Sequence, residues 1–548
     1  MINRDVLRWV IRNNKKYIPF VAILVVISIL YSVSGVLFAL ASKNVIDAAI
    51  DQDPSFQTNI LFLASVLAGI LVFRALFQYL SVFLTGKVEI NLKNKMYAQL
   101  LHKDYQAVTK YHSVDLMNRL NSDIGKIADG FVDVVPKLSF FAFRFMSAFL
   151  VLFLMDKWFA LIMVGFGLFV LLGTQIFGKR MRRLHTEHQE TESKSKAFMQ
   201  ETIENILAIK SFEVEDEMTK NNLDLLRVNF KKKIQRNNMS IFASSGVTSV
   251  MSVGYFIAII WGALQIVAQA MTFGSLTAIL QLVQQVQSPF SGVSQLLPKY
   301  FGMIASAERI IELEQLKDEP ITVYEPMNEE EFSKIVFDRV SFWYDNEDVI
   351  LKDLSLVIDS FDVIRLSGPS GIGKSTILKL MLGILEPSTG RIYIELKNKK
   401  KIPVSKTTRH FFSYVPQGNL ILSGTIRDNI VFHKDDYTMN QVIAASKVAE
   451  IDEFIKSLPN KYDTILGERG MGLSEGQIQR LAIARAVMSD ALVLLFDEAT
   501  SALDAETESR ILNNIKRLKH KTCVLVSHKE AANVVSEKII DLNPIGKE

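Results

Sequence analysis

The sequence predicts an all-α domain of six membrane-spanning helices that is fused to an α/β domain. Three observations support this fold class. Residues 1–318 contain six long apolar stretches. From residue 334 to residue 548, short β-rich runs alternate with helix-like segments, as in an α/β fold. Between them, residues 319–333 are polar, lack periodicity and contain two prolines, which is typical of a linker.

The composition fits this division. A chain of 548 residues is too long for one ordinary domain. Hydrophobic residues make up 49% and charged residues 22% of the chain, and the two classes separate along it. The net charge of +4 is too small to indicate a nucleic-acid partner. The single cysteine, Cys523, excludes an intrachain disulfide and is expected to be a thiol in the core.

Six apolar stretches reach or exceed the roughly 20 residues that a membrane-spanning helix needs. They are residues 17–41, 59–85, 134–155, 158–177, 240–268 and 273–306. The first stretch follows a basic segment, but it is too long for the apolar region of a signal peptide, so we expect it to remain as the first span.

Lys and Arg concentrate in two long connections, residues 86–133 and 178–239, whereas the other connections hold only Lys43 and Lys157. This asymmetry predicts that both termini face the cytoplasm, in a multi-pass protein of the plasma membrane. The two long connections are helix-like, so the spans are expected to extend beyond the membrane and to turn near residues 111–124 and 201–215. Charge on a helix face is also the default for a solvated helix, so these turns need not contact another domain.

A polar stripe follows one side of the sixth span at spacings of three and four. Its members are Gln281, Gln284, Ser288, Ser291 and Gln295. Such a stripe faces either neighbouring helices or a wet cavity, and we expect it to line a substrate cavity. A softer stripe in the fifth span is expected to serve helix packing instead. It consists of Ser245, Thr248, Ser252 and Tyr255.

Arg74 and Arg144 lie within the second and third spans, and a charge inside a membrane is a functional-site hypothesis by default. One interpretation is that they give the substrate cavity a positive lining that favours anionic cargo. The other is that each pairs with helix carbonyls or reaches the membrane interface.

Residues 368–376 read G-P-S-G-I-G-K-S-T and match the phosphate-loop pattern without a mismatch. An apolar run precedes the loop and a helix-like segment follows it, as the motif requires. Lys374 is expected to reach the β- and γ-phosphates of a nucleotide, and the Ser375 hydroxyl to ligate Mg²⁺. The residues of the loop that we expect to bind nucleotide are Gly368, Ser370, Gly371, Gly373, Lys374, Ser375 and Thr376.

A buried strand is also expected at residues 492–496, and it ends in Asp497 and Glu498. Asp497 is expected to hold Mg²⁺ through water, and Glu498 to polarise the water that attacks the nucleotide. The pattern is weak alone, but about 120 residues after a phosphate loop it is strong.

Together these residues resemble the ATP-binding cassette transporters, in particular exporters whose subunits carry six spans and one nucleotide-binding domain. Residues 473–477, L-S-E-G-Q, are similar to the family signature L-S-G-G-Q, with Glu475 in place of the first glycine. Glu lacks the φ freedom of Gly, so the resemblance leaves the effect of Glu475 open. It implies ATP and Mg²⁺ as cofactors and a RecA-like core with a helical subdomain.

The resemblance also implies roles for further residues. Tyr344 in V-S-F-W-Y-D would stack on adenine, Gln417 in Y-V-P-Q would link Mg²⁺ to the transmembrane contacts, and His528 in V-L-V-S-H would act near the γ-phosphate. The resemblance implies that Ser474 and Gly476 complete the ATP site of another chain, and that residues 501–504, S-A-L-D, form the loop through which the two subunits communicate. Gln477 and Asp504 are implied to belong to the nucleotide-binding residues. Residues 115–123 and 209–215 resemble the regions that contact the nucleotide domains, which favours that role for both turns.

In this family the signature of one nucleotide domain completes the phosphate loop of another, so the resemblance implies a second half-transporter subunit. A homodimer is favoured because the phosphate loop and Glu498 are intact, and a heterodimer remains open. The expected function is ATP-driven export of a peptide or amphipathic small molecule by alternating access. The alternatives are a lipid or multidrug exporter, a membrane-bound regulatory ATPase, an importer subunit and a soluble cassette protein. The six spans argue against the soluble protein. The six spans and the exporter-like G-E-R-G element at residues 467–470 both argue against the importer.

Overall fold

The computed structural model describes the backbone of residues 2–320, 332–344, 349–418, 421–432, 436–467, 472–518, 520–527, 529 and 536–542. Within these ranges it describes all side chains except those of residues 2–3, 168–179, 182 and 294. The chain divides into two compact units. The helical unit comprises Met1–Leu101 and His112–Gln315, and the α/β unit comprises His102–Tyr111 and Leu316–Glu548.

Six long helices form the helical unit, and each of the six predicted spans falls on one of them. They are α2 (Ile18–Ile50), α3 (Phe56–Leu101), α6 (Ile124–Met155), α7 (Lys157–Glu204), α9 (Glu215–Val267) and α10 (Phe273–Glu314). The shorter helices are α1 (Ile2–Asn13), α5 (Ser113–Asn118) and α8 (Ile206–Ser211). Among the described residues, the helices that include α2, α3, α6 and α9 are long and apolar enough to cross a membrane, and Lys157–Gly167 is a shorter apolar segment.

Small residues set the approach of these helices. A Cβ atom on Gly130 of α6 would lie 2.6 Å from the Cβ of Met303 on α10, so only glycine permits this packing distance. On α9 the buried residues are Gly254, Ala258 and Gly262, whereas Ser245, Thr248 and Ser252 are exposed. The packing face of α9 within one chain is therefore the glycine and alanine stripe and not the predicted hydroxyl stripe.

Residues 113–123 belong to the helical unit, where charged contacts hold them to α10. The Asp123 carboxylate accepts hydrogen bonds from Ser306 Oγ at 3.0 Å and from Arg309 Nε at 2.7 Å. Arg119 NH1 lies 2.9 Å from Glu312 Oε2. These contacts hold part of the predicted turn, residues 111–124, to α10, and its contact with a nucleotide domain stays a prediction.

A five-stranded parallel sheet with the order β11-β3-β10-β9-β6 forms the centre of the α/β unit. Its strands are β3 (Val363–Ser367), β6 (Phe412–Val415), β9 (Val493–Asp497), β10 (Thr522–Val526) and β11 (Lys538–Asp541). Hydrophobic clusters cover both faces, which is why the central strands read as continuous apolar runs. Cys523 on β10 is a buried free thiol, as predicted, and burial raises its pKa.

Among the described residues, two smaller sheets and six α-helices complete this part of the unit. A four-stranded antiparallel sheet has the order β2-β1-β4-β5, and β7 pairs with β8. These strands are β1 (Phe332–Phe342), β2 (Leu351–Asp359), β4 (Thr389–Leu396), β5 (Lys401–Pro403), β7 (Gly424–Thr425) and β8 (Ile465–Leu466). The helices are α11 (Lys374–Met381), α12 (Ile426–Val431), α13 (Met439–Val448), α14 (Asp452–Ser457), α15 (Glu475–Met488) and α16 (Ala505–Lys516). Helices α12 to α15 lie between β6 and β9 in sequence and form the helical subdomain.

The parallel sheet gathers the predicted site residues at one edge. The phosphate loop follows β3, Gln417 follows β6 by two residues, and Asp497 ends β9. Because the carboxyl ends of parallel strands lie at the same edge, these side chains are brought together there.

Candidate nucleotide-binding and hydrolysis site

The phosphate loop encloses the amine of Lys374. Gly373 has a φ of 101° and precedes α11, and a Cβ there would lie 2.8 Å from Ile350 Cγ2, so this position needs glycine. Lys374 Nζ donates to the carbonyls of Gly368 at 2.7 Å and Pro369 at 3.0 Å. Burial is the largest influence on the Lys374 pKa and lowers it, against the opposing charges of Glu498 and Asp497.

Asp497 is buried beneath this loop and both of its carboxylate oxygens are hydrogen-bonded. Ser375 Oγ donates to Oδ1 at 2.9 Å, and the Tyr414 hydroxyl donates to Oδ2 at 2.9 Å. The adjacent hydroxyl and carboxylate form the oxygen donor set that Mg²⁺ prefers in nucleotide sites. Ser375 and Asp497 therefore fit the magnesium role that the sequence predicts for them.

Glu498 stands next to Asp497 and is held in a defined position. Its backbone has a φ of 51°, in the left-handed region, and its N–H donates to the Val526 carbonyl at 3.0 Å. A non-glycine residue in this region carries strain that the surrounding structure must maintain. Gln417 Nε2 donates to Glu498 Oε2 at 2.7 Å, so the two predicted residues meet at the sheet edge.

The signature residues form a second group at the start of α15. Ser474 caps this helix in a capping box with Gln477: Gln477 N donates to Ser474 Oγ at 3.3 Å, and Ser474 N donates to Gln477 Oε1 at 2.8 Å. Together with Asp504, which caps α16, Ser474 and Gly476 line a recess of about 390 Å³. The recess exposes a helix N-terminus, which favours a phosphate group.

Glu475 is the first residue of α15, so it has a helical backbone that glutamate adopts without strain. Its side chain is exposed in the same recess. The departure from glycine therefore changes the charge of the recess and not its backbone.

Comparison with known proteins agrees with this arrangement. Residues 21–290 match the family described as the ABC transporter transmembrane region, and residues 351–501 match the family described as ABC transporter. The two matches cover most of the chain and lie on either side of the predicted linker. The chain belongs to the ABC transporters.

Relatives of this ABC transporter indicate the exporter type. A Dictyostelium discoideum protein named ABC transporter B family member 1 is 28% identical over 477 residues, covering 84% of this chain but only 51% of the relative. Staphylococcus aureus proteins named putative multidrug export ATP-binding/permease protein are 28% identical over 470 residues, covering 84% of this chain and 80% of theirs. The chain thus spans about half of the first relative and most of the others.

The fold is also that of a solved ABC exporter. The structure of a bacterial Atm1-family ABC exporter with ATP bound is similar with a TM-score of 0.80 and 22% sequence identity, covering 97% of this chain and 94% of that one. The family matches and the relatives above show an integral membrane half-transporter of the exporter type, and exporters of this kind function as dimers.

Two predicted elements of this ABC transporter lie outside the described residues: His528, and residues 468–470 of the G-E-R-G element. Residues 321–331 of the predicted linker lie outside them as well. Tyr344 is described, and its ring packs edge-on against Phe342 with a centroid distance of 4.8 Å.

Sequence reasoning missed three residues that hold the site. Tyr414 binds Asp497, as described above. Arg365 is buried on β3, and its Nε donates to the carbonyl of Ser527 at 2.9 Å, which ties β3 to the end of β10. Lys529 Nζ donates to the carbonyls of Thr500 at 2.9 Å and Leu503 at 2.6 Å. An arginine inside an otherwise apolar strand was the signal available for Arg365.

A segment that follows α3 belongs to the α/β unit. It contains the helix α4 (Tyr105–Thr109), which Asp104 caps by accepting from the Ala107 N–H at 3.1 Å. Lys379 Nζ of α11 lies 5.9 Å from the centroid of the Tyr105 ring, within cation–π range. The helix α4 therefore lies against α11, the helix that begins in the phosphate loop.

Proposed function

We propose that two copies of this chain form a homodimeric exporter with two competent ATP sites, which moves a peptide or amphipathic small molecule across the plasma membrane. The observation that carries the proposal is the presence of two complementary half-sites in one chain. The loop at Lys374 has its own Asp497 and Glu498, while the recess at Ser474 and Gly476 opens at a separate helix N-terminus. An intact second copy supplies what each half-site lacks.

The described residues fit ATP and Mg²⁺ in this site. A bound magnesium ion neutralises charge on the phosphates. Lys374 offers its amine to the same phosphates, while Ser375 and Asp497 provide oxygen ligands directly or through water. Glu498 would accept a proton from the attacking water, since its carboxylate already lies beside Gln417 at the sheet edge.

The second intracellular turn supports a contact with the partner copy. Four apolar side chains at and around α8 are strongly exposed in the single chain. They are Ile203 (68%), Ile206 (56%), Leu207 (81%) and Phe212 (78%). An apolar cluster of this kind on a cytoplasmic turn indicates an interaction surface. The resemblance predicts contact of residues 209–215 with the nucleotide domains, and we assign the cluster to the nucleotide-binding domain of the second copy.

The polar stripe of α10 supports a substrate cavity. Gln284 and Gln295 are exposed and Gln281, Ser288 and Ser291 are half-buried, whereas Leu282 and Val286 on the other side are fully buried. The stripe is thus partly accessible in one chain, although the Ser288 hydroxyl is buried and Leu297 is exposed as well. Polar groups on an accessible side of a membrane helix suit a wet path for amphipathic cargo.

The names of the S. aureus relatives favour a multidrug exporter as a second candidate for the cargo. Both candidates share the mechanism and the orientation, in which the Lys and Arg of the long connections place both termini in the cytoplasm. ATP would close the two half-sites against each other, and this differential binding would shift an inward-open cavity to an outward-open one.

ATP-dependent uptake into inside-out membrane vesicles tests this function. We expect accumulation of at least one member of a panel of peptides, lipids and cationic dyes with ATP, and none with the Glu498→Gln variant at equal expression. Accumulation that is identical in both vesicle preparations would contradict the proposal. ATP hydrolysis without accumulation of any panel member would favour a regulatory ATPase.

A further inference from the structure

A pocket of about 620 Å³ opens among α2, α3 and α6 of the helical unit. Its volume lies within the range of roughly 300–1,000 Å³ that is typical of small-molecule sites. The residues that line it are Ser28, Tyr31, Arg74, Phe77, Gln78, Ser81, Val82, Asp133, Lys137, Phe140 and Phe141. None of the polar stripe residues of α10 is among them, so the pocket is a place distinct from the predicted cavity stripe.

The charges of the pocket do not balance. Asp133 accepts hydrogen bonds from Ser81 Oγ at 2.8 Å, Lys137 Nζ at 2.5 Å and Lys299 Nζ at 2.6 Å. Its carboxylate is therefore fully used by residues other than Arg74. Among the described residues, Arg74 makes no hydrogen bond and no ion pair, and its side chain is exposed to the pocket. Of the three charged residues that line the pocket, Lys137 and Asp133 pair with each other, and Arg74 is left without an ion-pair partner among the described residues.

A second arginine, Arg144, lies next to the aromatic residues that line the pocket. We call Tyr31, Phe77, Phe140 and Phe141 the aromatic wall. The rings of Tyr31 and Phe140 stack with a centroid distance of 5.1 Å, and the guanidinium of Arg144 lies 5.3 Å from the Phe140 centroid. The Nε of Arg144 is buried and has no hydrogen-bond partner. Sequence analysis left open whether the two arginines pair with helix carbonyls, and neither finds such a partner within the described chain.

The position of Arg74 makes an unpaired charge costly. Arg74 precedes Ser81 by seven residues on α3, which corresponds to roughly 10 Å along the helix axis. It thus lies well inside the predicted second span, where a charge without a partner is expensive. A guanidinium offers a planar pair of donors that match a carboxylate or phosphate group. An anionic group of a ligand bound here would neutralise the unpaired charge of Arg74.

We infer that this pocket binds the anionic group of a small amphipathic cargo, with Arg74 as its main ligand and the aromatic wall against its apolar part. This inference rests on the proposed export function and narrows its substrate class to amphiphiles that carry a carboxylate or a phosphate. Phe77, Phe140 and Phe141 supply an apolar surface large enough for an aliphatic or aromatic tail. Lys137 also lines the pocket, but its amine is paired with Asp133.

Equilibrium binding of a matched pair of probes tests the inference. The probes are 11-(dansylamino)undecanoate and its methyl ester, which differ only in charge, titrated into full-length protein in phosphatidylcholine nanodiscs, with empty nanodiscs as the baseline. We expect the anion to bind at least about tenfold more tightly than the ester, because a charge-assisted contact to Arg74 is lost in the ester. Competition with oleate and with lysophosphatidate distinguishes a carboxylate ligand from a phosphate ligand.

Two substitutions locate the effect. Arg74→Gln should reduce the preference for the anion to about twofold or less, because the positive charge is lost. Arg74→Lys should retain most of the preference, because Lys keeps the charge although it lacks the planar pair of donors. Arg227→Gln, an exposed residue of α9, is the matched control and should bind both probes as the wild type does. Equal binding of anion and ester by the wild type, or an undiminished preference in Arg74→Gln, would overturn the inference.

This experiment and the vesicle assay fail independently. Selective binding of the anion without ATP-dependent uptake of any amphiphile would support the anion-binding pocket but contradict the proposed export function. ATP-dependent uptake without any preference for anionic probes would support the export function but contradict the role of the pocket as an anion site.

Discussion

The hydroxyl of Tyr414 donates a 2.9 Å hydrogen bond to Oδ2 of Asp497, the carboxylate that ends β9. Ser375 occupies the other oxygen at the same distance. Burial is the main cause that raises the pKa of Tyr414, and the charge of Asp497 adds to it, so the hydroxyl remains a donor at any working pH. If Ser375 held a magnesium ion instead, Tyr414 would still orient Asp497.

Tyr414→Phe should therefore weaken the use of magnesium. We expect a rise of about tenfold in the Mg²⁺ concentration that supports half-maximal hydrolysis, as for other residues that orient a metal ligand. Nucleotide binding measured in EDTA should be unchanged. Tyr393→Phe, on β4 of the same unit, is the control and should behave as the wild type. A Tyr414→Phe variant with an unaltered magnesium dependence would show that the hydrogen bond is only structural.

Glu475 places a negative charge in the recess that the partner's ATP is proposed to enter. Glu475→Gln removes this charge and keeps the helix, so the apparent KM for ATP should fall by about threefold at low salt and by less at high salt. Glu453→Gln, in the first turn of α14, is the matched control. If steady-state hydrolysis gives the same KM for Glu475→Gln and wild type at low salt, Glu475 does not face the nucleotide.

The parts of the site that follow local rules could be predicted from the sequence. The phosphate loop, the Asp497 and Glu498 pair and Gln417 each sit directly after a strand, and parallel strands bring such positions to one edge. Tyr414 could not be predicted, because its partner lies 83 residues away and the contact depends on the register of β6 beside β9. Nothing local distinguishes it from a core tyrosine.

The same limit applies to the segment between α3 and α6, which the structure divides between the two units. Residues 111–124 and 102–111 are both polar and helix-like, so periodicity alone did not separate them. Asp123 and Arg119 find partners on α10 about 190 residues later, which assigns their segment to the helical unit. The short helix α4 is instead stabilised by its N-cap, Asp104, and by the contact of Tyr105 with Lys379 of α11.

The environment of Glu319 should make the stability of the α/β unit depend on pH. Burial opposes its ionisation, but hydrogen bonds and charges from Arg409 and Lys406 hold its pKa below the ordinary value of 4.5. A carboxylate with a lowered folded pKa contributes stability above the unfolded pKa and loses it as pH falls through the folded value. The melting temperature of the wild type should exceed that of Glu319→Gln above about pH 5, and the difference should shrink below it.

Differential scanning fluorimetry across about pH 3.5 to 7 measures this difference. Glu386→Gln, an exposed carboxylate paired with Lys317 at 3.3 Å, is the control and should show no such dependence. A gap between wild type and Glu319→Gln that stays constant over the range would contradict the assignment.

Glu498→Gln should bind ATP without turning it over. The amide oxygen of the new side chain still accepts from Gln417, so the geometry of the edge is kept while the base is lost. We expect steady-state hydrolysis to fall by at least about 100-fold, the usual contribution of a general base. Retention of radiolabelled ATP on a stable dimer is the second readout. Hydrolysis near the wild-type rate would remove Glu498 from the role of base.

Complementation between two inactive variants tests most directly the claim that the chain supplies half of each site. Lys374→Ala disables the phosphate loop and Ser474→Ala disables the signature, so a mixed dimer contains one intact composite site. Mixed dimers purified through two different tags should hydrolyse ATP at least about tenfold faster than either variant alone. Mixed dimers of Lys374→Ala with Glu498→Gln, which affect the same half-site, should remain inactive. Folded Lys374→Ala and Ser474→Ala mixed dimers that show no hydrolysis, beside active wild-type dimers prepared in the same way, would contradict the account.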